Sequence, residues 1–157
     1  DANHLGKGFI AFLSRHGAKA AIFDLAAIEW AWLESYHAAD AEPLALADLA
    51  ALDEAALLDM RVARHPSARA VAIHAPLASV LEGYEGQQPA TMLTVRPHAD
   101  VRLVALDRLQ SALLNLAAAE NCTLGNLLAH ALEQDGEEAP LEPILHLIGA
   151  GALVKVV

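Results

Sequence analysis

Cysteine is almost absent: Cys122 is the only one in 157 residues. No internal disulfide and no CxxC pair can form, which points to an intracellular setting. Aromatics are sparse too, at 4%. A core must therefore be built mainly from Ala and Leu, and that favours closely packed helices. Cations are the third shortage: 10 Lys and Arg face 20 Asp and Glu, for a formal charge of −10. That balance disfavours nucleic acid or an anionic membrane as the main partner and suits a basic or peptide-like one.

Apolar runs are broken by Asp, Glu, His or Pro before they approach the roughly 20 residues of a membrane span, so a soluble, cytoplasmic protein is expected. HExxH, HxH, Cys/His clusters, GxSxG and Gly-rich phosphate loops are all missing. No metal, cofactor or catalytic residue is expected in this chain. Its eight histidines read as exposed or hydrogen-bonded groups, and Cys122 as a small core filler. The chain starts at Asp1 without Met and without a signal-like segment, which leaves open a trimmed N-terminus that held either a signal or another domain.

What is present divides into two blocks, with an α+β, mostly helical fold. Residues 1–81 read as a helical block. Leu5, Phe9, Phe12 and Leu13 suggest a short helix over 4–16. A longer one follows over about 20–39, where Ile22, Leu25, Ile28, Trp32 and Tyr36 share one apolar face. A Leu/Ala helix or pair of turns comes after Pro43, and Ala70 to Ile73 has strand character between Pro66 and Pro76. "EGYEGQQPA", residues 82–90, reads as a linker.

Residues 91–157 read as a winged-helix-like block. Two strands, 91–96 and 101–106, flank a Pro-His-Ala-Asp turn. Asp107 and Gln110 form a capping box before a helix with Leu109, Leu113 and Leu116 on one stripe. Thr123 caps a second helix, Pro140 opens a third with Leu141, Ile144, Leu145 and Ile148, and the chain returns as a strand after Gly151.

A winged helix invites a DNA reading, yet the helix in the recognition position, "LGNLLAHALEQ", carries no Lys or Arg. From Thr94 onward four basic residues face eight acidic ones. Phosphate and base contacts need more cations than this. Glu29 is the polar residue that most needs a reason, because a carboxylate on an apolar helical face must be paired or functional. Arg61, Arg64, Arg69 and His65 are its expected buried partners, with a role at an interface as the alternative. The strand Val101 to Leu106, unless covered, presents unpaired N–H and C=O groups that can capture an extended peptide.

The stretches "DLAAIEWAWLESYHAADAEPL", "RHPSA", "LLNLAAAENCTLGNLLAHAL" and "LEPILHLIGAGALV" resemble the bacterial HvfC/BufC-like partner proteins. The resemblance runs from about Leu5 to the C-terminus. The DNA-binding label of that family belongs to an N-terminal helical domain of its longer members, which this chain is expected to lack. What the resemblance implies is an accessory subunit of a TIM-barrel, multinuclear iron oxygenase of the methanobactin-biosynthesis type, which modifies cysteines of ribosomally made precursor peptides.

The C-terminal block is similar to PqqD-like leader-recognition domains. Carried onto this chain, the resemblance implies a leader peptide bound along Val101, Arg102, Leu103, Val104 and Ala105 and against Leu141, Ile144, Leu145 and Ile148. Glu29, Trp30, Trp32, Tyr36, His37, Arg64 and His65 are the expected enzyme interface or buried ion pair. Iron is expected in the partner enzyme only. A winged-helix transcriptional regulator is the alternative.

Overall fold

A computed structural model describes residues 20–81, 83–135 and 140–157. The helix expected over 4–16 lies outside the described residues. The chain forms α1 (Ala20–His37), two short helices α2 (Leu46–Ala50) and α3 (Glu54–Asp59), then strands β1 (Val62–Arg64) and β2 (Arg69–Ala72). The hairpin β3 (Thr91–Val95) and β4 (Arg102–Leu106) leads into α4 (Arg108–Leu116), α5 (Leu124–Asp135), α6 (Glu142–Gly149) and β5 (Leu153–Lys155). This is the α+β architecture expected from the sequence, with the hairpin, three helices and final strand in the expected order.

The local signals act as anticipated. Asp107 accepts from the Gln110 amide at 2.8 Å while the Gln110 side chain accepts from the Asp107 amide at 2.9 Å. Thr123 and Asn126 repeat the same reciprocal cap at the start of α5. Each cap satisfies N-terminal amides that a helix otherwise leaves unpaired. Gly151, at φ +78°, turns the chain out of α6 in the left-handed region that glycine enters without strain. A second glycine is needed for proximity: a Cβ on Gly125 would sit 2.9 Å from the Leu58 carbonyl oxygen, so α3 approaches α5 only because that side chain is missing.

The strands join the two expected blocks instead of separating them. β2 pairs antiparallel with β3, giving a sheet of order β2-β3-β4, and β1 pairs with β5 in a second, two-stranded sheet. Residues 83–90 therefore close a connection between two neighbouring strands of one sheet. Leu44, Met60, Val62 and Ala68 share a core with Leu93, Leu106, Leu113, Leu127, Leu147 and Leu153. Strand alternation sends Leu93, Val104 and Leu106 to this side, where α4, α5 and α6 cover them. On the opposite face Met92, Val71 and Ala105 meet Ile28 of α1 and Leu77.

Candidate functional site

β4 is the edge of its sheet, and hydrogen bonds around it show which of its backbone groups are open. In an antiparallel ladder alternate residues turn their N–H and C=O to the same neighbour. Leu106 accepts from the Ala90 amide, so its carbonyl faces β3. The Ala105 carbonyl points the other way and accepts from Nε2 of His146 at 3.2 Å. The alternation then turns Arg102 and Val104 toward β3, in register with Val95 and Leu93, and turns Leu103 and Ala105 outward. Among the described residues no strand lies beyond β4.

The side chains beside this edge are divided in role. Leu103 is 44% exposed, Arg102 is exposed, and Val101, Val104 and Ala105 are half-buried. Leu141, the N-cap of α6, and Leu145 within it are exposed at 52% and 43%, one helical turn apart. Ile144 and Ile148, expected to line the same groove, are instead core residues at 4% exposure each. Their buried stripe fixes α6 against α4, which leaves only its other face to a ligand. A small cavity of about 210 Å³ continues from the end of β4, bounded by Tyr84, Pro89, Ala105, Gln110 and His146.

α1 is rotated about its axis from the expected orientation, with Ile28 buried as expected but the aromatic residues turned outward. The side turned to the sheet carries Asp24, Ile28, Ala31 and Ser35, all buried, while Ile22, Trp32 and Tyr36 are exposed at 43%, 39% and 53%. Glu29 is exposed as well, so it has no buried charge to neutralise, and the expected ion pair with Arg61, Arg64, Arg69 or His65 is not formed. The physical reason is close packing. Small residues let α1 approach β2 and β3, and its polar ones find partners there. Ser35 Oγ donates to the Ser67 carbonyl and accepts from Thr94 Oγ1, each at 2.7 Å. Asp24 accepts from the amides of His74 and Ala75 at 2.9 and 2.8 Å and from the His74 ring at 3.2 Å.

These contacts set the charge state of Asp24. Burial alone would raise its pKa, but the amides of Ala75 and His74, with the His74 ring, outweigh it and hold the carboxyl below its ordinary value. The largest charged anchor is Arg96, whose guanidinium reaches Asp40 at 2.6 Å and the carbonyls of Ser35, Ala38 and His98. Only one of the expected interface residues is fully buried. His65 accepts from the Ser67 amide at Nδ1, so Nε2 carries the proton and donates to the Ala41 carbonyl at 2.9 Å. Trp30 is half-buried and Arg64 likewise, whereas His37 is exposed with its ring edge-on to Tyr36 at 5.0 Å. Trp32 and Tyr36 stack at 5.5 Å.

Sequence reasoning missed Asp24 and the Ser35, Ser67 and Thr94 cluster. The available signal was the spacing of Asp24, Ile28, Ala31 and Ser35, a helical stripe of small and polar residues. Cys122 is buried in the core, and burial pushes its thiol pKa up. Among the described residues no group of three His, Cys, Asp or Glu side chains gathers for a metal, and no helix is long and apolar enough to cross a membrane. No protein-family model, curated protein or solved structure matches the chain.

Proposed function

We propose that this chain is a non-catalytic, cytoplasmic partner subunit that takes the leader of a ribosomally synthesised precursor peptide as an added strand on β4. It would present that peptide to a TIM-barrel, multinuclear iron oxygenase for cysteine modification. The observation that carries the peptide-binding part is the outward edge of β4, where the Leu103 N–H and C=O and the Ala105 N–H are open while His146 takes the Ala105 carbonyl, with exposed leucines on the edge and beside it on α6. Main-chain pairing supplies affinity at such an edge, and side-chain pockets beside it supply selectivity. The enzyme and its iron enter through the sequence resemblance. The stacked Trp32 and Tyr36 on the outer face of α1 offer the enzyme an aromatic surface of the kind enriched at protein interfaces.

The regulator alternative gains nothing from the arrangement. Arg96, the cation nearest the turn of the hairpin, is held by Asp40 and three carbonyls, and the Asn126 carboxamide oxygen is engaged in a helix cap. The test is to mix the chain with a cognate iron oxygenase and its precursor peptide. Co-purification and a rise in turnover are expected. Neither occurring sinks the proposal, and sequence-selective, salt-dependent DNA binding would replace it.

A further inference from the structure

A cavity of about 720 Å³ lies between β1 and the end of α4, and none of the β4 residues lines it. Its walls are mostly small and apolar, including Val62, Ala63, Ala117, Ala118 and Val156, and two arginines enter it. Arg64 Nη2 and Arg69 Nη1 donate to one carbonyl oxygen, that of Ala68, at 3.4 and 3.0 Å, and Arg69 Nη1 also reaches the Pro66 carbonyl at 2.8 Å. Two guanidiniums thus converge beside an open volume with only neutral acceptors between them.

This is an unusual arrangement for a chain of formal charge −10. Among the described residues the ion pairs are His74 with Asp24 and Arg96 with Asp40, and neither involves these arginines. Burial, with the neighbouring charge of Arg69, lowers the pKa of Arg64, as expected for a cation without a counter-ion. Each guanidinium has five N–H donors in a planar fork, and backbone carbonyls occupy one nitrogen of each. The remaining donors suit a planar, bidentate acceptor.

We propose that the Arg64/Arg69 cleft is a binding site for a carboxylate carried on a small apolar body. A carboxylate matches the guanidinium fork, and the apolar walls accept the carbon skeleton behind it. A dianion fits less well, because Glu120 also lines the cleft and the whole chain is acidic. Nothing in this inference depends on strand addition at β4. The carboxylate can come from an acidic side chain flanked by apolar residues in a peptide or from a free short-chain acid, since both offer the same chemistry.

The test follows the Arg64 and Arg69 side-chain Nε–Hε NMR signals of the full chain at constant ionic strength. The probes are 4-methylpentanoate, an end-blocked Ala-Glu-Leu peptide and inorganic phosphate. Saturable shifts of both arginine signals are expected with the acid, the peptide or both, and a response to the peptide alone assigns the source as a peptide. Arg64→Gln should weaken that binding roughly tenfold or more, and Arg64→Lys should restore only part of it because the fork is lost. Backbone spectra of both variants establish that they fold. The inference is overturned if no probe moves the two signals beyond a sodium chloride control, if phosphate alone does, or if binding survives Arg64→Gln in a folded chain.

Discussion

His146 on α6 donates from Nε2 to the Ala105 carbonyl of β4 at 3.2 Å, occupying one acceptor on an edge whose neighbouring groups stay open. The ladder alternation turns the Leu103 and Ala105 amides outward and the Val104 and Leu106 amides toward β3. Amide exchange in the free chain should therefore be fast at Leu103 and Ala105 and slow at Val104 and Leu106. Adding the precursor peptide should protect the first pair. Proline separates the same two classes by stability. Leu103→Pro removes an outward N–H and should unfold at nearly the wild-type denaturant midpoint while losing the peptide, since proline is tolerated where an edge N–H faces solvent. Val104→Pro breaks the ladder itself and should lose on the order of 2–3 kcal/mol. Equal destabilisation by the two would contradict the assigned edge.

Asp24 ties α1 to the segment after β2 through the amides of His74 and Ala75. Replacing it with Ala leaves both donors without that acceptor and should destabilise the chain by about 2–4 kcal/mol at neutral pH. The pH dependence has a definite sign. Because the folded-state pKa lies below the ordinary value of 3.8, the ionised carboxyl stabilises the fold fully above about pH 4. That contribution fades as the pH drops further through the lowered folded value. Equilibrium unfolding of wild type and Asp24→Asn should show the full gap near pH 5 and a shrinking one below about pH 4. A gap that widens as the pH falls below about 4 would reverse the assignment.

Gly151 sits against Pro97, the first residue of the hairpin turn. A Cβ added to it would fall 2.4 Å from Pro97 Cβ, at a φ of +78°. Gly151→Ala meets both the left-handed strain and the clash, and a loss on the order of 2–4 kcal/mol in denaturant unfolding is expected. Adding Pro97→Gly should recover the part due to the clash while the strain remains. Full recovery in the double variant would assign the whole effect to the clash.

The C-terminal half was legible because its signals are local. Asp107 with Gln110, Thr123 with Asn126, and the leucine stripes of α4 to α6 each specify an element from a few neighbouring residues. What was not legible depended on partners distant in sequence. β1 finds β5 across more than half of the chain, and three residues of strand carry too little pattern to announce that pairing. The same limit hid the polar anchors of α1. Asp24 and Ser35 look like solvent-facing residues until the amides of His74 and Ala75, the Ser67 carbonyl and Thr94 are brought against them. At the candidate site, β4 lies at the edge of its sheet, whereas the resemblance, carried over by element order, put Ile144 and Ile148 on the ligand side when both lie in the core.

The face of α1 gives the sharpest check on that lesson. Large aromatics at helical spacing ordinarily mark the buried side of a helix, yet here Trp32 and Tyr36 are outside and Ile28, at 3% exposure, is the large residue inside. Truncating Ile28 to Ala removes packing against Leu77 and Met92 and should lose about 2–5 kcal/mol. Trp32→Ala and Tyr36→Ala remove more atoms but from an exposed stack, so each should shift stability by less than about 1 kcal/mol. The order of the three effects in chemical unfolding is opposite to what side-chain size predicts. If α1 instead buried the aromatic face, Trp32→Ala would be the most damaging of the three, at roughly 3–5 kcal/mol. The two mild variants also probe the proposed enzyme contact, because a folded Trp32→Ala chain that binds the iron oxygenase as tightly as wild type would remove this face from the interface.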